Sequence, residues 1–175
     1  ARVGDQDRFG QGLAQERSVM CYARTVTALA SAFGQAPHAA MVALKEAVND
    51  VMLTAGSIEI TCPLGTRYQG RVGETERENS DVTVKRFPLC VPQPIPATGF
   101  SGQVVLTRYL TPTGSMPYEP ASCPIQNPVV AHVEQGRITG FEGEDPDVSA
   151  IRAHYDTVAG QFGIEPNVVH SFHAG

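Results

Sequence analysis

Ser57-Ile58-Glu59-Ile60-Thr61-Cys62-Pro63-Leu64-Gly65-Thr66 is the stretch on which the fold turns. Ile58, Ile60 and Cys62 alternate with Ser57, Glu59 and Thr61, a period of two that puts one set on each face of a strand. Pro63-Leu64-Gly65-Thr66 then reverses the chain, because Pro presets its φ and Gly tolerates conformations that other residues avoid.

Upstream the period is helical. From about Gln15 to Phe33, the residues Val19, Ala23, Val26, Ala30 and Phe33 recur at three and four, and Gly34 closes the run. A second helix follows with Pro37 near its first turn. Ala40, Leu44, Ala47, Val48, Val51 and Ala55 form its expected apolar face before Gly56.

Downstream the signals are those of strands. Val82 and Val84 alternate, Val104 to Leu110 is a β-rich run, and Val129-Val130-Ala131-His132-Val133 leads through Gln135-Gly136 to Ile138 and Phe141. The last pair predicts a hairpin whose turn needs positive φ at Gly136. Between them, Phe87 to Pro96 carries four prolines in ten residues, an extended or edge segment because Pro cannot donate to a ladder. Asp145-Pro146 caps a third helix with Val148, Ile151, Tyr155, Val158 and Phe162 inward, and Val168-Val169 forms a last strand that delivers His170 and His173. The expected fold is α+β: two N-terminal helices, a mostly antiparallel sheet with helices packed on one side, then a helix and a final strand. Residues 1–56 form the helical part and 57–175 the sheet-rich part.

Composition narrows the function classes. A net charge of −5, a pI near 5.5 and no run of Lys or Arg argue against a nucleic-acid or anionic-membrane partner. No apolar run approaches the length of a membrane span, and the first residues do not form a signal peptide, so the expected location is cytoplasmic. Cys21, Cys62, Cys90 and Cys123 make no Cys-x-x-Cys pair and read as buried thiols. The chain opens without Met and stops at Gly175 soon after a strand-like segment, and the expectation is an internal piece of a longer enzyme.

His170 and His173 are the leading candidate site residues, because two neutral imidazoles near a strand end can meet one metal when the backbone turns between them. The alternative is a pair of core or surface histidines. His154-Tyr155-Asp156 has the spacing of many iron sites, but residues two apart on a helix point about 200° away from each other. Tyr155 is expected in the core and its neighbours in solvent. Glu142, Glu144, Asp145 and Asp147 suit the positive end of the third helix better than a calcium loop. Gly99-Phe100-Ser101-Gly102 lacks the spacing and following helix of a nucleophile elbow, and Gly10-Gln11-Gly12 lacks the strand of a phosphate cradle; both read as turn glycines.

Several of these stretches together resemble the aminopeptidase T (leucyl aminopeptidase-like) family. The strand and turn Ile58 to Thr66 are similar to that family's I-x-I-T-x-P-x-G-T stretch, and Phe87-Pro88, Gly102-Gln103-Val104-Val105 and the hairpin Pro128-Val129-Val130 to Gly136-Arg137-Ile138 follow in its order. The resemblance covers most of the chain from about Val42 to Gly175. It implies a metal-dependent enzyme with a small-molecule substrate, working with the remainder of the same polypeptide and open to homo-oligomer formation. Peptidase members use two metals, zinc or cobalt, with a first Glu ligand in a Phe-Pro-x-Gly-Glu pattern; here Cys90 and Val91 stand in the last two places. Where the second peptidase ligand, a Glu, is expected, this chain has His170-Ser171-Phe172-His173-Ala174-Gly175, closer to the 2,5-dihydroxypyridine dioxygenase branch. That implies a mononuclear Fe(II) ring-cleaving dioxygenase of hydroxylated aromatic or pyridine substrates. His170 or His173 would supply one imidazole, and a His-x-Asp pair beyond Gly175 would complete the set. A divergent two-metal aminopeptidase and a non-catalytic assembly or binding module are the alternatives.

Overall fold

The computed structural model describes residues 20–21, 25–32, 34–73, 86–87, 92–112 and 118–173. In chain order these form β1 (Met20–Cys21), α1 (Val26–Ala30), α2 (His38–Thr54), β2 (Ile58–Thr61), β3 (Arg67–Gly70), β4 (Arg86–Phe87), β5 (Ile95–Pro96), β6 (Phe100–Leu110), β7 (Cys123–Glu134), β8 (Arg137–Glu142), α3 (Asp145–Phe162) and β9 (Ser171–Phe172). The fold is α+β, with a mostly antiparallel sheet of five strands followed by a helix and a short strand. The chain divides into two compact units, one of residues 1–55, 74–95 and 172–175, the other of residues 56–73 and 96–171.

In the first unit the expected long helix from Gln15 is corrected. Met20–Cys21 is a strand paired in parallel with Arg86–Phe87, and the helix is confined to Val26–Ala30. The Thr25 hydroxyl accepts the Ala28 N–H at 3.1 Å, which sets the start of the helix. Thr25 itself is extended, with φ −134° and ψ 153°, so regular helix begins only at Val26. The remainder of the expected helix before Met20, Phe33, the pair Val82 and Val84, Cys90 and Gly10-Gln11-Gly12 lie outside the described residues.

The second helix appears as expected, but it faces another way. Leu44 and Val51 are exposed, at 57% and 68%, while Val42, Lys45, Asn49 and Met52 are half-buried. Asn49 lies on the covered side, where its Oδ1 accepts the Gln93 N–H at 2.7 Å.

In the second unit the sheet runs β2-β3-β6-β7-β8, every neighbour antiparallel. The turn between β2 and β3 closes through Gly65 N–H to Cys62 O at 3.0 Å, with Gly65 at φ 108°. Buried Thr66 extends the sheet with its side chain, since its Oγ1 accepts the Val105 N–H at 3.0 Å. Gly102 is not a turn glycine: it lies inside β6, opposite Tyr68 and Val133, at φ 136°, and a Cβ there would strike the Arg67 carbonyl.

The β7–β8 hairpin turns at Gln135-Gly136, with φ of 46° and 74°. The α3 helix starts one residue earlier than expected, from Glu144, which makes no side-chain cap, with Pro146 in the first turn. Its inner face is as expected at Val148, Ile151 and Tyr155, which meet Cys123, Ile125, Val129, Leu106 and Phe141 in the core. Ile151 and Val129 are fully buried, and side chains of this size contribute about 1.5–3 kcal/mol each on burial. The Tyr155 ring stacks on Phe141 at 6.0 Å between centroids, and the Arg152 guanidinium covers Phe141 at 5.4 Å. Among the described residues, no helix is long and apolar enough to cross a membrane.

Candidate functional site

The geometry around His170 is built by the tip of the β7–β8 hairpin. Gly136 N–H donates to Phe100 O at 2.9 Å and Gln135 N–H to Ser101 Oγ at 2.9 Å, which hold the tip against the start of β6. Ser101 is thereby a brace and makes no nucleophile elbow. The returning segment is then threaded along the same tip: Ile138 N–H donates to Asn167 O at 2.8 Å, and Val169 N–H to Gly136 O at 2.8 Å. One residue further, Ala97 N–H donates to His170 O at 3.1 Å. Arg137 and Glu165 pair outside this ladder.

His170 is therefore fixed through its backbone while its imidazole stays exposed. Nδ1 lies 3.2 Å from the Ser171 hydroxyl, a contact that can hold one tautomer and leave Nε2 outward. His173 is also exposed. Among the described residues, no three His, Cys, Asp or Glu side chains converge on a point where they could hold a metal ion. The exposed imidazole of His170 fits a metal as a donor; a carboxylate to accompany it is not found among the described residues.

The acidic group at the start of α3 is separated by the structure. Asp147 lies with Asp145 in the first turn of α3 as expected, but it is buried and its carboxylate has further partners. Its Oδ1 accepts the Gln126 N–H at 2.8 Å, and Oδ2 accepts the main-chain and side-chain N–H of Asn127 at 3.1 Å each. The Gln126 N–H, joined by those of Asn127, holds the carboxyl below the usual carboxylate range against the opposing effect of desolvation. Three of its acceptor positions are used in clamping α3 to β7, which ties the carboxylate to main-chain and amide N–H groups. No local sequence signal marks this, because the partners are about twenty residues away.

Tyr155 is half-buried as expected and Asp156 exposed, but His154 is buried, at 9% exposure, so it does not lie in solvent. Tyr118 covers it, with ring centroids 5.8 Å apart. Of the cysteines, Cys123 is buried and Cys62 is exposed, which corrects the expectation for Cys62. The Thr66 hydroxyl and the turn amides around it lower the Cys62 thiol pKa, whereas burial and the Asp147 charge raise that of Cys123.

Searched against protein families, curated proteins and solved structures, the chain matches none of them.

Proposed function

We propose that this chain belongs to a metal-dependent enzyme of the aminopeptidase T-like kind, a mononuclear Fe(II) ring-cleaving dioxygenase of hydroxylated aromatic or pyridine substrates. The observation that carries the reading is the presentation of His170, an exposed imidazole on backbone held by successive main-chain hydrogen bonds. A ligand residue needs this combination, since the metal must find the donor pre-positioned and its ring nitrogen unspent. Bound Fe(II) would supply open positions for a chelating substrate and O₂. His170 is the imidazole donor preferred over His173, because its own carbonyl accepts the Ala97 N–H and the preceding Val169 N–H is bonded to Gly136 of the hairpin tip. The strand, turn and hairpin motifs and the α+β order support the family part of the reading, and Val91 in place of the peptidase Glu disfavours the two-metal alternative.

Elemental analysis of the intact natural protein tests it. One iron per chain is the expected result. Two zinc or cobalt ions per chain would replace the dioxygenase with a peptidase, and no retained metal after anaerobic incubation with Fe(II) would overturn both and favour a binding module.

A further inference from the structure

The two edges of the sheet differ. At β8 the start of the edge is taken up, because Ile138 N–H donates to Asn167 O at 2.8 Å and Arg137 bridges to Val168. At β2 the Cys62 N–H donates to Thr66 O at 3.3 Å, which sets the phase of the β2–β3 ladder. Ile58, Ile60 and Cys62 therefore direct their main-chain groups toward β3, and those of Glu59 and Thr61 point away from the sheet. Both residues are exposed, and among the described residues nothing pairs with the main chain of either on that side.

An open edge of this kind is a template for another strand. Its side chains select the strand that fits. Thr61 stands opposite Arg67, and Glu59 is two residues from Thr61, so Glu59, Thr61 and Arg67 share one face. Glu59 and Arg67 are exposed, and neither joins an ion pair among the described residues. A second copy placed antiparallel, with a two-fold axis at Ile60, puts the partner's Thr61 opposite Glu59 and the partner's Arg67 one strand further along the same row. The two long side chains can then meet over the short threonine, once on each side of the axis. Ile60 faces its own counterpart on the opposite face. Other registers are worse: an axis at Glu59 sets like charges side by side, and an axis at Thr61 opposes Glu59 to Pro63, which has no N–H to give.

We infer that this chain forms a two-fold dimer through antiparallel pairing of its β2 strands, with Glu59 of each copy matched to Arg67 of the other. The pairing consumes the β2 edge of both copies, so assembly closes at two. The inference rests on the sheet alone and stands apart from the metal reading.

Sedimentation equilibrium of the chain, from about 10 µM to about 1 mM, tests it. A strand pair this short belongs at the small end of interfaces, so a Kd on the order of 100 µM is expected at low salt, weakening several-fold in high salt. Thr61→Pro removes an edge N–H that β3 does not use, and should abolish the dimer with the circular dichroism spectrum unchanged. Glu59→Arg and Arg67→Glu should each be monomeric over the same range. Mixing those two proteins should restore dimers, because every Arg then meets a Glu across the axis, a rescue that no other occupant of the edge would give. A monomer at all concentrations, dimers that persist in the Thr61→Pro protein, or no association between the two charge variants would each overturn the inference.

Discussion

Asp147 Oδ1 lies 2.8 Å from the main-chain nitrogen of Gln126, and this bond joins the first turn of α3 to the strand on which the helix packs. The same carboxylate takes two further N–H groups from Asn127, so one side chain satisfies three donors at the point where β7 departs from regular pairing. The carboxyl titrates below its ordinary value in the folded state. The folded protein therefore binds fewer protons at this group than the unfolded chain does.

Stability from Asp147 is present above the unfolded carboxylate value of about 3.9 and is lost as pH falls through the lower folded value. Asp147→Asn should lower Tm by several degrees at pH 7. It should also flatten the decline in stability on acidification below about pH 4, because the group responsible for that slope is gone. Thermal melts by circular dichroism across that range check both; parallel acid profiles in the two proteins would refute the clamp.

Ile151 is fully buried in the core between α3 and the sheet. Ile151→Ala should destabilise by about 2–5 kcal/mol in urea unfolding, from lost transfer energy and the cavity left behind. A loss under about 1 kcal/mol would mean that the helix packs less tightly than described.

Gly136 has φ 74°, and a Cβ there would come 2.8 Å from the Ala97 carbonyl. Gly136→Ala should cost about 1–3 kcal/mol from backbone strain and displacement of the hairpin tip. Because the tip carries the backbone of Val169, the variant should also show altered amide shifts at His170, and unchanged shifts there would contradict the proposed coupling.

His170→Ala and His173→Ala combined should abolish Fe(II) retention while leaving thermal stability nearly intact. Both rings are exposed, and the His170 hydrogen bond to Ala97 uses only main-chain atoms. A large stability loss with metal content unchanged would favour structural histidines. The single variants separate the two, with His170→Ala expected to carry the larger loss.

Cys62 should be alkylated by iodoacetamide well before Cys123, read peptide by peptide in mass spectra of the native protein. Cys62 is exposed and its thiol is acidified by the Thr66 hydroxyl, while Cys123 is buried and its pKa raised. Thr66→Ala should slow the Cys62 reaction at neutral pH. Equal rates before and after that change would remove the Thr66 effect.

The legible part of the fold was written in residues close to one another. Alternation at Ile58 and Ile60, the turn at Pro63 to Thr66, the hairpin turn at Gly136 and the inner face of α3 each depend on side chains within a few positions, and each appears in the structure. The first helix misled because its spacing suited a helix while the pairing of Met20–Cys21 with the distant Arg86–Phe87 drew that part of the chain into a strand, and Thr25 caps a helix that begins only at Val26. The second helix was recognised, but the side it covers includes Asn49, which accepts the Gln93 N–H, while Leu44 and Val51 of the expected apolar stripe are exposed.

The candidate residues divide in the same way. His170 could be marked from its type and its place after a strand, yet only the folded chain brings Gly136 and Ala97 alongside to supply the hydrogen bonds that hold its backbone and that of Val169. His154 and Asp147 could not be placed at all, since the covering ring of Tyr118 and the N–H groups of Gln126 and Asn127 come from distant parts of the chain. By itself the sequence determined the fold class and the kind of most elements from Pro37 onward, because backbone propensity and hydrophobic period act over one or two turns. Which polar groups were buried, paired or left exposed was decided by tertiary structure, because burial and hydrogen-bond satisfaction depend on what the rest of the chain brings alongside.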